Sequence, residues 1–253
     1  MPYMMGGFPD RETSVAVARA CVEGGADLIE LGVPFSDPLA DGPVIHAAAT
    51  TALGAGATLD SVLDVCGEVS DRLPVVPMCY SNMVLAHGLS EFVRRLGEAG
   101  AAGVIVPDLP MEEAAEIAGE LRLRGLALIP LVAPTTPAER RRRICEHAEG
   151  FVYVVSDTRV TGERDDLPRG LADLVEAVRA ESNVPVAVGF GIGTPEQVAA
   201  VARVADGVIV GTRLVRAVSE AGAPEPAAKA ALDFLKTSRE AMVAAGGRRD
   251  RVG

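Results

Sequence analysis

Short apolar runs alternate with helix-patterned stretches along the whole chain. The runs Pro2–Met5, Asp27–Leu31, Val75–Cys79, Gly103–Val106, Ala127–Leu131, Phe151–Val155, Val186–Val188 and Val208–Val210 are brief, often β-branched and nearly continuous in hydrophobicity. Strands covered on both faces read this way. Between them lie amphipathic segments such as Thr13–Glu23, Leu89–Ala99, Glu112–Arg124 and Leu171–Glu181. Several open on Ser, Asp or Pro signals, Thr194-Pro195 ahead of Glu196–Val201 being one. Eight strand–helix units in 253 residues, with no linker or low-complexity break, predict an α/β chain forming a single-domain (β/α)8 TIM barrel over residues 1–253. An open doubly wound sheet is the rival and usually has fewer strands.

Barrel chemistry sits where strands end and βα-loops begin. Two such loops are long, Gly32–Pro43 and Ser156–Pro168. Glu30 interrupts the apolar run Leu28-Ile29-x-Leu31 at a strand end. A buried unpaired carboxylate costs several kcal/mol, so it needs a partner or a task. No predicted strand contains Lys or Arg, which leaves the loop residues Arg159, Arg164 and Arg213 as partners for a structural ion pair. An apolar surround would raise its pKa, as a general acid working near neutrality requires. Asp37 and Asp41 follow in a loop stiffened by Pro34, Pro38, Gly42 and Pro43. Spacing leaves two readings of Asp41 open: a carboxylate held over a site, or the N-cap of the helix opening near Pro43.

Two strand ends are rich in glycine, Gly189-Phe190-Gly191-Ile192-Gly193 and Gly211-Thr212-Arg213. Glycines at the ends of the last two strands, each before a helix start, make the usual barrel phosphate site from backbone N–H groups and a helix dipole. The pattern is not G-x-G-x-x-G, so a dinucleotide is not indicated and a small phosphate monoester is.

Composition narrows the chemistry. Lysine occurs only at Lys229 and Lys236, beyond the last strand, which removes Schiff-base aldolase mechanisms. His46, His87 and His147 lack paired spacing, and Cys21, Cys66, Cys79 and Cys145 are scattered, so no metal site is expected and the thiols read as buried and reduced. No G-x-S-x-G elbow is present. What remains is acid–base work by carboxylates on a phosphorylated substrate. The net charge of −11 argues against nucleic acid and anionic membranes as partners. The one basic cluster, Arg140–Arg143, reads as a solvated helix face. There is no secretory leader pattern and no apolar run near the ~18 residues of a membrane span, which predicts a cytoplasmic protein.

The run Glu30-Leu31-Gly32-Val33-Pro34-Phe35-Ser36-Asp37-Pro38-Leu39-Ala40-Asp41-Gly42-Pro43 resembles the signature of the tryptophan synthase α subunit family. The likeness continues in register through Pro2-Tyr3, Tyr80-Ser81-Asn82, Pro107-Asp108-Leu109-Pro110, Tyr153–Ser156, Val160-Thr161-Gly162, Gly189–Gly193 and Val210-Gly211-Thr212. It implies retro-aldol cleavage of indole-3-glycerol phosphate to indole and glyceraldehyde 3-phosphate, with neither metal nor Schiff base. It also implies roles. Glu30 would move protons at indole C3 and the glycerol hydroxyl, and Asp41 would stabilise the indolenine tautomer through the ring N–H. Thr161 would hold Asp41 when its loop closes. Tyr80 and Tyr153 would line the site, Tyr3 would flank the indole, and Gly162, Gly191, Gly211 and Thr212 would bind the phosphate.

Asp37, Asn82, Asp108 and Pro110 would form the contact with a β subunit that carries pyridoxal phosphate, in an α2β2 heterotetramer. The sequence departs from the family at a few places. The helix usual before the first strand is missing from it, Arg159 stands where Gly is usual, Thr212 replaces a Ser, Arg213 a small residue and Ala86 a polar one. A stand-alone indole-producing paralogue and a non-catalytic barrel that activates a β subunit are the alternative readings.

Overall fold

A run of residues covered on both faces can satisfy its backbone only by pairing on both edges, and each predicted strand does so in parallel. The computed structural model of the chain describes residues 1–156, 170–189 and 191–246. Its strands are β1 (Tyr3–Met5), β2 (Ile29–Gly32), β3 (Val75–Met78), β4 (Gly103–Ile105), β5 (Ala127–Ile129), β6 (Leu131–Val132), β7 (Val152–Val155), β8 (Val186–Gly189) and β9 (Gly207–Val208). They pair in chain order, β1 to β5 and β6 to β9.

The stretch Ala127–Leu131, expected as one strand, is interrupted at Pro130, whose nitrogen has no hydrogen to give to a ladder. The Pro130 carbonyl still accepts from the Tyr153 N–H at 3.0 Å, so the ring runs through the break. It closes where Pro2 bridges Val210 in parallel, with the Tyr3 N–H donating to the Val210 carbonyl at 2.9 Å. With β5 and β6 taken as one interrupted strand, this is the eight-stranded barrel that the alternation predicts.

The helices are α1 (Arg11–Glu23), α2 (Pro43–Gly54), α3 (Leu59–Gly67), α4 (Ser81–His87), α5 (Leu89–Glu98), α6 (Ala114–Arg122), α7 (Ala138–Glu146), α8 (Leu171–Glu181), α9 (Pro195–Ala202), α10 (Thr212–Ala221) and α11 (Pro224–Ala244). One helix per strand was the expectation, but two follow each of β2, β3 and β9. The break between α4 and α5 falls at Gly88, whose φ of 76° is left-handed backbone that other residues avoid. Thr194 acts as read, forming a capping box with Gln197 around Pro195 at the start of α9. The first helix begins before the Thr13 expected for it, at Arg11, because Asp10 accepts from the Thr13 N–H at 2.8 Å and caps it.

Continuous hydrophobicity is explained by β7 and β8. Tyr153 and Ala187 pack in the main core, while Val152, Val154, Val186 and Val188 pack with Val175 and Val178 of α8 and Val198 and Val201 of α9. All four cysteines are buried and free. The arginine run lies on α7 at the surface, where Arg140 pairs with Glu112 and Arg141 pairs in bidentate fashion with Glu181. Among the described residues, no helix is long and apolar enough to cross a membrane.

Candidate active site

Parallel register fixes the floor of the site. Tyr3, Glu30 and Val76 are partners across β1, β2 and β3. Register partners share a face of the sheet, so Glu30 and Tyr3 project together into the barrel. Two positions further on, β2 ends at Gly32, where a Cβ would lie 2.2 Å from the Tyr3 hydroxyl. On the opposite wall a Cβ at Gly189 would lie 2.4 Å from the Tyr153 hydroxyl. Each strand therefore gives up a side chain where a tyrosine ring must lean across it.

Glu30 is 1% exposed, and its Oε2 has no hydrogen-bond partner. Burial, and next the nearby Asp41 carboxylate, push its pKa up to about 8. It is thus a protonated carboxylic acid at neutral pH. The tyrosines beside it are held well above their ordinary range, first by burial, and stay neutral.

Asp41 sits half-buried at the end of the 33–42 loop. The capping alternative does not occur. Gly42 is the N-cap of α2, with Pro43 following and no side-chain cap. The Asp41 carboxylate instead lines the cavity, with the Tyr80 hydroxyl beside it. Burial raises the Asp41 pKa, while the Tyr80 hydroxyl and the nearby His46 favour the charged form. The loop is pinned further by the Ala40 N–H, which donates to the Tyr80 hydroxyl at 3.1 Å, and by the Phe35 ring, 5.4 Å from that of Tyr80.

Above Glu30 opens a cavity that, with the solvent space at its mouth, spans about 450 Å³. Tyr3, Glu30, Asp41, Tyr153, Gly191, Gly211 and Thr212, all singled out from the sequence, line it. Tyr80 does not; it stands behind Asp41 rather than in the wall. The apolar lining of Ile45, Met78, Ile192 and Ile209 was missed. The inward alternation of the strands could have signalled Met78 and Ile209, but not Ile45 on α2 or Ile192 in the Gly-rich run.

The two glycine-rich ends differ. At α9 the Gly193 and Thr194 N–H groups already donate to the Gln197 side chain at 2.8 and 3.2 Å. At α10 the N-cap is Gly211 and no side chain caps the helix, so its first N–H groups are open toward the cavity that Gly211 and Thr212 line. An uncapped N-terminus with its dipole is an anion site, and Gly191 faces it in the left-handed conformation, φ 78°. The end of the cavity suited to an anion is therefore α10 with Gly191 rather than the whole Gly189–Gly193 run.

Thr161 and Gly162, with Arg159 and Arg164, lie outside the described residues. Of the expected contact residues, Asp37, Asn82 and Pro110 are exposed. Asp108 is turned inward, accepting from the Ser81 N–H at 2.8 Å and from its hydroxyl at 2.7 Å. Two apolar side chains in this region went unnoticed in the sequence: Leu39, two residues beyond Asp37, is 78% exposed, and Leu85, on α4 with Asn82, is 76% exposed.

The family model for the tryptophan synthase alpha chain matches residues 1–244. The tryptophan synthase alpha chain of Prochlorococcus marinus (strain MIT 9313) is 47% identical over 246 residues, covering 95% of this chain and 88% of the relative. That of Halorhodospira halophila is 46% identical over 246 residues, covering 96% and 90%. Among solved structures, the tryptophan synthase alpha chain from Legionella pneumophila subsp. pneumophila superposes with a TM-score of 0.87 at 37% identity, covering 98% of this chain and 92% of that one. A Mycobacterium tuberculosis tryptophan synthase structure superposes with a TM-score of 0.87 at 37% identity, covering 95% and 91%.

Proposed function

The chain belongs to the tryptophan synthase α chain family, a lyase family of tryptophan biosynthesis, and on that premise we propose how its own residues cleave indole-3-glycerol phosphate. The observation that carries the proposal is Glu30: a buried, protonated carboxylic acid with an unpartnered oxygen, on the floor of a cavity whose far end is an open helix N-terminus.

The phosphate lies on the first N–H groups of α10, with Gly191, Gly211 and Thr212 around it. The indole ring lies among Tyr3, Tyr153, Ile45 and Met78, where apolar burial binds it and excludes water. Glu30 delivers its proton to indole C3, giving the protonated indolenine, a cation. Asp41 accepts a hydrogen bond from the ring N–H, whose acidity rises in that cation. Glu30, now a carboxylate, takes the proton of the adjacent glycerol hydroxyl. The carbon–carbon bond then breaks, its electrons returning to the ring and leaving an aldehyde. One carboxyl gives and regains a single proton, so nothing else is consumed. Splitting the work between a raised acid and a second carboxylate follows the two-carboxylate logic.

Exposed Leu39 and Leu85, flanked by Asp37, Asn82 and Pro110, form the face offered to a β subunit, which carries the pyridoxal phosphate. The assembly is an α2β2 heterotetramer working in the cytoplasm on one barrel domain per α chain. The test is indole release from indole-3-glycerol phosphate by the purified chain, alone and with a matching β subunit. Release that rises when β is added supports the proposal; a chain that binds β yet never releases indole overturns it.

A further inference from the structure

We propose that Ser81 and Asp108 are positioning residues for Asp41, acting through Tyr80. The inference rests on the reading of Asp41 as a catalytic carboxylate. Asp41 is the ninth residue of a ten-residue loop, and the helix after it has no side-chain cap, so its carboxylate is not held as the cap of α2. The loop is held next to it by Tyr80, whose hydroxyl accepts the Ala40 N–H at 3.1 Å. A phenol hydroxyl has a single proton. Because the oxygen already accepts from Ala40, that proton is free to favour the charged Asp41 carboxylate beside it.

Where the hydroxyl sits depends on the Tyr80 backbone, the N-cap of α4, which has no side-chain cap of its own. The next residue, Ser81, is held by both oxygens of Asp108, one on its N–H and one on its hydroxyl. That clamp ties the start of α4 to the segment after β4, and the buried ring of Tyr80 is wedged against Phe35 on the other side. The contacts form one continuous path from Asp108 through Ser81 and Tyr80 to Ala40, the residue next to Asp41. Both Asp108 oxygens are engaged inward, so its first task is within the chain. The path begins beside exposed Pro110 and Asn82, on the face proposed for the partner.

Two readouts on the full chain test this: hydrogen exchange at the Ala40 amide, and kcat and KM for indole release. S81A removes the hydroxyl arm of the clamp. It is expected to speed Ala40 exchange about tenfold, leaving the amides of Val76 and Val104 unchanged. It is expected to lower kcat about tenfold with KM and glycerol 3-phosphate affinity unchanged. S81T, which keeps a hydroxyl, should restore both. In the Y80F background S81A should add no further loss, since the path is already cut at the hydroxyl.

Equal losses from S81A with and without Y80F would overturn the proposal, as would wild-type Ala40 exchange in S81A. If S81A disturbs the barrel amides, D108N, which keeps an acceptor for the Ser81 N–H, is read the same way. A wild-type chain that releases no indole refutes the proposed function instead, and Ala40 exchange still decides this inference.

Discussion

Tyr3 and Glu30 stand side by side as register partners of β1 and β2, and the Tyr3 ring leans along the barrel until its hydroxyl fills the space a Gly32 side chain would occupy. The acid thus has an aromatic wall next to it only because the residue two places further along its own strand has no side chain. Gly32→Ala places a Cβ 2.2 Å from that hydroxyl and must drive the ring into the cavity. We expect a loss of about 1–3 kcal/mol in unfolding free energy and a raised KM for the indole substrate. Tyr3→Leu in the same chain should recover much of the stability, a comparison that chemical denaturation makes directly.

Glu30→Gln keeps the shape and removes the transferable proton. Turnover should fall about 10³-fold, the scale of a lost general acid–base. Binding of glycerol 3-phosphate at α10 should stay within twofold, as measured by calorimetry. Full indole release by this variant would remove Glu30 from the mechanism.

The raised pKa of Glu30 sets two pH dependences. Its protonated form starts the reaction, so kcat/KM should be level below pH 8 and decline toward tenfold per unit above it. Stability runs the same way for a different reason. Between its unfolded pKa near 4.5 and about 8 the folded state holds a proton that the unfolded state has released, so stability falls as pH rises across that window. Glu30→Gln should therefore stabilise the chain by about 5 kcal/mol above pH 8 and by almost nothing below pH 4.5. Denaturant titrations at pH 5 and 8.5 would show it.

Asp41→Asn retains an acceptor for the Tyr80 hydroxyl and loses the negative charge next to the ring N–H. About a hundredfold fall in kcat with little change in KM is expected, because the charge matters most once the indolenine has formed. A rise in KM with unchanged kcat would make Asp41 a ground-state binding residue.

Gly191→Ala tests the phosphate end. At φ 78° an alanine is strained by about 1–2 kcal/mol, and the backbone facing α10 must shift. Affinity for glycerol 3-phosphate should drop about tenfold while single-turnover cleavage of bound substrate changes less. Equal affinity in the variant would place the phosphate elsewhere.

Much of this was legible in the sequence. Near-continuous apolar strands, the helix start at Thr194, and one acid in a barrel strand each follow from local chemistry: pairing on both edges, capping, and the cost of a buried charge. The Gly88 break between α4 and α5 was not read, because one glycine in a helical pattern does not announce its φ. The Pro130 interruption was present in the sequence, yet only the neighbouring strand shows that its carbonyl still closes the ring.

The sequence by itself determined the barrel and the acid, since periodicity and the cost of burying Glu30 need no knowledge of neighbours. Tertiary structure alone decided between the two readings of Asp41, because the residue that engages it, Tyr80, lies 39 positions away and no spacing rule connects them. It also decided which glycine-rich end stays open to an anion. The Gln197 side chain folds back on the Gly193 and Thr194 N–H groups, while nothing caps α10. Hydrogen-bond donors are identical in the two sequences of peptide units, and only the side chains brought next to them determine which remain unspent.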